Sequence, residues 1–358
     1  MPSQTAAAPE RRRIVSGVLA CLAAALLAGC GRPQPALHEQ QFFAFGTLIT
    51  VSLYDVDATL AHRAFTDLRA LFNQKHRDWH AWEPGPLTEL NQALAERGEA
   101  AVPATLQPLL ASARRLSLAS DGLFNPAIGG LLALWGFQDD TPPTRPPAPA
   151  AVAAQLAQHP SMADLELHGT RVSTGNRAVA LDLGAFAKGY VAQLGAEHLR
   201  RLGVEHALIA VAGDIHALGR HGERAWRVGI RHPRGAGILA ATDLHDGESI
   251  STSGDYERYF EFEGRRYHHL LDPRSGQPAR GAIAVTVIAR DGASADAAAS
   301  ALFIADAQDW PRLARALGVD QVMRVEADGG VVHLSPAMAA RLRIEAEPAP
   351  EVRVQALP

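Results

Sequence analysis

Around Glu263-Gly264 two strand-like runs, YERYFEF and RRYHHLL, meet at a dipeptide suited to a two-residue hairpin turn. A hairpin forces its strands antiparallel, and a further strand, AIAVTVIA, follows before any helical spacing returns. Upstream, FFAFGTLITVSLYDV reads as a strand with a turn or bulge near Gly46, and HALIAVAGDIHALG as a strand ending in Gly213-Asp214. VALDLGAFAKGYVAQLGAEHLRRLG reads as a strand entering a helix that buries Ala192, Leu194, Ala196 and Leu199. Helical spacing recurs over 59–72, through Leu60, Ala64, Phe65, Leu68 and Leu71, then over 106–118 and 295–304. The Pro-rich stretch TPPTRPPAPAAVAAQLAQHP reads as a surface loop feeding a short alanine helix. Strands and helices mix without a regular βαβ repeat. The expected class is therefore α+β, with mixed or antiparallel sheets and packed helices in one large domain.

Composition bounds the partners. The 358 residues are 47% hydrophobic and 20% charged with a formal net charge of −4, which suits a globular chain and gives no basic footprint for nucleic acid. Arg11, Arg12 and Arg13 precede an apolar run over 14–28 that is shorter than the roughly 20 residues needed to span a bilayer. That pattern reads as a secretory signal, and Leu27-Ala28-Gly29-Cys30 resembles a lipobox whose cysteine is lipidated. Its removal takes the formal charge from −4 to about −6. Of the two cysteines, Cys21 leaves with the signal and Cys30 carries lipid, so thiol catalysis is excluded. The expected layout is a signal peptide over 1–29, a lipidated tether over 30–41, a domain over 42–345 and a tail over 346–358. The expected location is a periplasm-facing membrane. Gly31, rather than an aspartate after Cys30, favours the outer one.

Several residues suit chemistry. Asp296 and Ser300 stand four apart on the predicted alanine-rich helix and share a face. Their oxygens are hard donors of the kind Mg²⁺ takes; alone, the aspartate also fits a solvated helix start. In LDLGAFAKGY, Asp182 ends a strand and Lys188 lies among small residues that let a backbone approach a phosphate. The GxxxxGK spacing of a P-loop is missing. Gly213-Asp214 and the turn around Asp255 read as loops. In YHHLLDPRSGQP, alternation sets His269 on the face of Tyr267 and Leu271 and His268 on the other, with a turn at Asp272-Pro273 and Gly276. A neutral histidine there can take a proton from a hydroxyl, or simply be satisfied at a strand edge. Trp79 and Trp82 offer faces for a heterocycle or for the core.

Eight segments in order resemble the ApbE family of FAD:protein FMN transferases: FGTLITV, LTELN, SDGLFNPAIGGLLALWGF, LDLGAFAKGYV, VAGDIHALG, ISTSGDYERYF, HHLLDPRSGQP and ADAAASALF. The resemblance runs from about Phe42 to Ile304 and implies a specific chemistry. Such enzymes cleave the pyrophosphate of FAD with a divalent metal and pass FMN to a Thr or Ser hydroxyl of another protein, releasing AMP. The implied acceptors are flavoprotein subunits of membrane electron-transport complexes. Carried over, Asp296, Ser300 and the Ala185 carbonyl hold Mg²⁺, and His269 is the base. Phe45, Trp82, Leu123, Phe124, Asn125, Asp182, Lys188, His269 and Leu270 contact FAD. Phe45 stands where the family commonly has Met, Trp82 where it has Tyr, Ala212 where Gly is usual and Ser300 where Thr is usual. None of these removes an essential group. The alternatives are an FAD pyrophosphatase giving AMP and FMN, and a flavin-binding carrier lipoprotein without enzymatic activity.

Overall fold

The computed structural model describes residues 36–138, 141 and 143–358. The signal segment and the lipobox with Cys30 lie outside the described residues. Residues Leu37–Pro358 form one compact unit. Its strands, in chain order, are β1 Leu37–Ala44, β2 Thr47–Tyr54, β3 Glu99–Ala101, β4 Leu165–His168, β5 Arg171–Thr174 and β6 Ala207–Val211. There follow β7 Asp214–Leu218, β8 Trp226–Arg231, β9 Ile238–Leu244, β10 Ser249–Gly254, β11 Tyr259–Phe262 and β12 Arg265–His268. The last are β13 Ala282–Ala289, β14 Gln321–Glu326, β15 Val331–Leu334, β16 Arg343–Ile344 and β17 Glu351–Val354. The helices are α1 Ala58–Trp79, α2 Pro86–Arg97, α3 Gln107–Ala119, α4 Gly129–Trp135, α5 Pro149–Leu156, α6 Gly184–Arg201, α7 Gly292–Ile304, α8 Trp310–Ala316 and α9 Pro336–Ala339.

A nine-stranded sheet in the order β1-β2-β6-β7-β10-β13-β14-β15-β17 forms the frame. Its neighbours pair antiparallel except β15 with β17. One face packs on α1, α6 and α7 through Ile49, Val51, Ile209, Phe72, Ala196 and Leu302. The other packs on the β16-β9-β8 sheet through Ile250, Ile288, Met323, Val228 and Leu239. A third cluster, around Trp135, Phe260 and Tyr267, joins α4 to the β11–β12 hairpin. The result is α+β, as the missing βαβ repeat implies.

Hairpins occupy places where the sequence suggested longer single strands. Phe45 and Gly46 both take positive φ, 56° and 65°, so of the expected turn or bulge it is a two-residue turn that forms, joining β1 to β2. Ala212 at φ 52° and Gly213 turn β6 into β7, which moves Asp214 from a loop to the first position of a strand. The expected strand before α6 is reduced to one bridge, Ile128 with Ala180. Its backbone is satisfied elsewhere: Leu181 N–H donates to Asn91 Oδ1 at 2.7 Å and Asp182 N–H to the Pro126 carbonyl at 2.8 Å. Leu194 is only half-buried, while Ala192, Ala196 and Leu199 are in the core. Two boundaries also shift. Residues 37–41, read as tether, belong to β1, and β17 lies within the stretch read as a tail, because both complete edges of the sheet.

Helix α7 is buried along all 13 residues, which explains its alanines and its lack of a polar stripe. It crosses α6 at a pair of glycines. A Cβ on Gly189 would lie 2.2 Å from the Gly292 carbonyl oxygen, and a Cβ on Gly292 would lie 2.2 Å from that of Gly189. Gly189→Ala is expected to destabilise the protein by about 2 kcal/mol or more, because the obstacle is backbone and cannot swing aside. Urea denaturation with an unchanged m-value checks it.

Candidate active site

The helix crossing opens beside a cavity of about 450 Å³, bounded by the β1–β2 and β6–β7 turns, the end of α1, the start of α6, one face of α7 and the segment after β12. Every one of the twelve sequence-nominated residues in the described region lines it: Phe45, Trp82, Leu123, Phe124, Asn125, Asp182, Ala185, Lys188, His269, Leu270, Asp296 and Ser300. The thirteenth, Cys30, is outside that region.

Lys188 is the electrostatic centre. Its Nζ lies 3.0 Å from Asp214 Oδ2 and 3.4 Å from Asp296 Oδ2. Both carboxylates are almost fully buried. Burial alone would discharge the lysine, but Asp214 and Asp296 together outweigh it and raise its pKa. One lysine cannot neutralise two carboxylates. Burial and then the charge of Asp214 push Asp296 up to about 7, against the opposing pull of Lys188 and of the Gly189 N–H. That N–H donates to Asp296 Oδ2 at 3.1 Å, and four residues before it in α6 stands the Ala185 carbonyl, whose ordinary helical donor it is. Ser300, one turn along α7 from Asp296, shares a hydrogen bond of 3.1 Å with Ser253 on β10. The donor set is therefore hard oxygen throughout, with surplus negative charge, which fits a hard divalent cation.

Asp214 was not singled out by sequence. Gly-Asp is ordinary turn chemistry, and only the pairing of β6 with β7 turns its carboxylate onto Lys188. Glu257 and Arg258 line the same cavity and were also missed. Asp182 accepts from the Gly184 N–H at 2.7 Å, and burial raises its pKa despite that bond.

His269 lies one residue beyond the end of β12, yet it keeps the expected side: it lines the cavity with Leu271, and its ring meets Phe137 of the cluster that holds Tyr267 and Leu271. Its ring and that of His268 part company. His268 is buried with Nε2 on the Ala279 carbonyl at 2.8 Å, while His269 faces the cavity. The main chain of His269 donates to the Arg258 carbonyl at 3.1 Å, and its Nδ1 lies 3.3 Å from the same oxygen. A carbonyl only accepts, so Nδ1 carries the proton and Nε2 keeps its lone pair. Burial, with lesser repulsion from His268 and Lys188, lowers this imidazole to about 3, which keeps it neutral.

Trp79 and Trp82 both line the cavity. Trp79 is buried, stacked on Tyr190 with its Nε1 on the Thr105 carbonyl, and Trp82 is more open. Phe124 packs edge-on against Phe186, and the amide of Asn125 is engaged by Pro160 and Ala127. The Leu123–Asn125 wall is thus set by packing and backbone turns.

The ApbE family profile matches residues 45–323. The chain belongs to the ApbE family. An FAD:protein FMN transferase of Rhodobacter capsulatus is 44% identical over 93% of this chain, which spans 64% of that longer protein. One from Klebsiella pneumoniae is 35% identical over 72% of this chain and 79% of its own length. The ApbE crystal structure from Thermotoga maritima superposes with a TM-score of 0.76 at 28% identity, covering 87% of this chain and all of that one. The apo flavinyl transferase ApbE of Pseudomonas stutzeri gives 0.71 at 31%, covering 83% and 93%. This ApbE chain thus shares the family fold, and its cavity is lined by residues from seven of the eight family-like segments, LTELN being the exception.

A group whose pKa is raised on folding stabilises the fold below its unfolded pKa and loses that contribution as pH rises through the folded value. For Asp296 the window runs from 3.8 to about 7. Chelator-treated protein is expected to lose thermal stability across that window relative to Asp296→Asn, measured as the difference between the two melting curves.

Proposed function

We propose that this ApbE protein transfers FMN from FAD to a Thr or Ser hydroxyl of a target flavoprotein and releases AMP. The observation that carries the reading is the convergence, in one cavity of an ApbE fold, of Lys188, a buried oxygen cluster and a neutral histidine with a free Nε2. The pyrophosphate is read at the start of α6, where Lys188 and the positive end of the helix dipole favour an anion.

The chemistry needs a proton acceptor and a stabilised leaving group. His269 Nε2 takes the proton of the acceptor hydroxyl, and the oxygen forms a bond to the phosphorus on the FMN side. The bridging P–O bond breaks, and its electron pair leaves with AMP, whose new charge falls to Lys188. The Arg258 carbonyl holds His269 in the required tautomer and steadies the imidazolium that forms. Asp296, Ser300 and the Ala185 carbonyl would hold Mg²⁺, with Asp214 adding charge beside them. Bound there, Mg²⁺ supplies neutralisation of the pyrophosphate oxygens.

The lipobox reading supports export and a lipid anchor at Cys30, facing the periplasm, with Gly31 favouring the outer membrane. That placement would bring the enzyme to flavoprotein subunits of membrane electron-transport complexes. Cys30→Ser is expected to move the protein from the membrane pellet to the soluble fraction on cell fractionation.

Activity is tested with FAD, Mg²⁺ and an acceptor carrying a Ser/Thr-Gly-Ala-Thr-like segment. The expected outcome is AMP release with flavin fluorescence fixed to the acceptor on a denaturing gel. AMP with only free FMN would instead mark a pyrophosphatase. His269→Ala is expected to bind FAD yet transfer it at least about 100-fold more slowly; wild-type turnover in that variant would remove the base from His269.

A further inference from the structure

The last turn of α1 and the residues after it carry a second cluster on the cavity wall. His76, His80 and Glu83 place one potential ligand atom each within 4.8 Å of one another, the spacing of a metal site. The two imidazoles lie 5.1 Å apart at 82°. The hydrogen-bond polarity is wrong for a metal. The Phe45 N–H donates to His76 Nδ1 at 3.1 Å. The N–H groups of Trp82 and Glu83 both donate to His80 Nδ1, at 3.2 and 2.9 Å. A ring nitrogen that accepts has its lone pair engaged, so a neutral ring must carry its proton on the other nitrogen. Metal-bound histidines have the reverse arrangement, with the second nitrogen donating to an acceptor. Three main-chain donors therefore set both Nε2 atoms as N–H donors. Among the described residues, His76 Nε2 has no hydrogen-bond partner. The carboxylate nearest His80 Nε2, that of Glu83, stands 3.9 Å away, too far for a hydrogen bond. Burial, followed by the neighbouring His80, lowers the His76 pKa and keeps that ring neutral.

Both histidines line the cavity together with Phe45 and Trp82. We infer that His76 and His80 form a paired N–H donor that binds the lone-pair acceptors on the edge of the dinucleotide's planar ring system, with the Glu83 carboxylate available to a ring or amino N–H beside them. The inference rests on the FAD reading of the cavity. Two ring systems share this chemistry. The isoalloxazine offers two carbonyl oxygens flanking an N–H, and adenine offers ring nitrogens beside an amino group. The pair is a specificity device, distinct from the oxygen cluster around Lys188.

Asparagine separates the two roles of these residues. In His80→Asn the side-chain oxygen takes the place of Nδ1 as acceptor for the turn, while the Nε2–H donor is lost. His80→Gln extends an N–H to the Nε2 position. The full-length protein and these variants, with His76→Asn, are titrated with FAD, FMN and AMP by fluorescence or calorimetry. His80→Asn is expected to weaken FAD about tenfold with its melting temperature kept, His80→Gln to recover part of the loss, and the defect to fall on KM for FAD more than on kcat. A loss for FMN alone assigns the pair to the isoalloxazine, and a loss for AMP alone assigns it to adenine. Equal losses for both, or unchanged FAD affinity in folded His76→Asn and His80→Asn, overturn the inference. So does stoichiometric Zn²⁺ binding by the wild type that these variants abolish. If the wild type binds none of the three nucleotides, the FAD reading falls and takes this inference with it. If it binds FAD and the variants bind it equally well, this inference alone fails.

Discussion

The contact between Gly189 and Gly292 sets the distance between α6 and α7, and the site depends on that distance. With no Cβ on either helix, each backbone carbonyl comes within reach of the other helix. At this separation the Gly189 N–H meets Asp296 and Lys188 stands between Asp296 and Asp214. A methyl group at the crossing would separate the lysine of one helix from the acid of the other. The alanines of α7 serve the same end, since small residues let a fully buried helix sit close to sheet and helix alike.

From that close approach follows an unusual charge arrangement. Two buried carboxylates share one ammonium, and burial, followed by the charge of Asp214, raises Asp296. Such an arrangement costs folding free energy without a cation or a ligand to complete it. The histidines show the opposite economy. His269 is kept neutral by burial and given its tautomer by a carbonyl, and His76 and His80 are given theirs by main-chain N–H groups. Backbone hydrogen bonds thus decide, ring by ring, which nitrogen accepts and which donates.

Much of the site was legible because its residues sit in short motifs. Asp296 and Ser300 share a helical face by spacing alone, and Lys188 lies among the small residues that its helix crossing demands. Asp214 was not legible, for a Gly-Asp pair at a turn has many uses and its partner is 26 residues away in sequence. The fold was read with similar unevenness. The Glu263-Gly264 hairpin was visible in its turn residues. At β1–β2 only Gly46 signalled a turn, and the β6–β7 hairpin was hidden, because Phe45 and Ala212 take a left-handed conformation that those residue types rarely advertise. The segment before α6 has strand composition yet forms only one bridge, its backbone being held by Asn91 and the 126–127 loop.

The sequence by itself determined the α+β class, the membership in the ApbE family, and the chemical groups available to the reaction, since these depend on local periodicity, turn residues and motif order. The tertiary structure alone decided which carboxylate meets Lys188 and which nitrogen of each imidazole is free. Those outcomes depend on distances between elements remote in the chain and on where backbone donors and acceptors come to lie, and neither is encoded in any short run of residues.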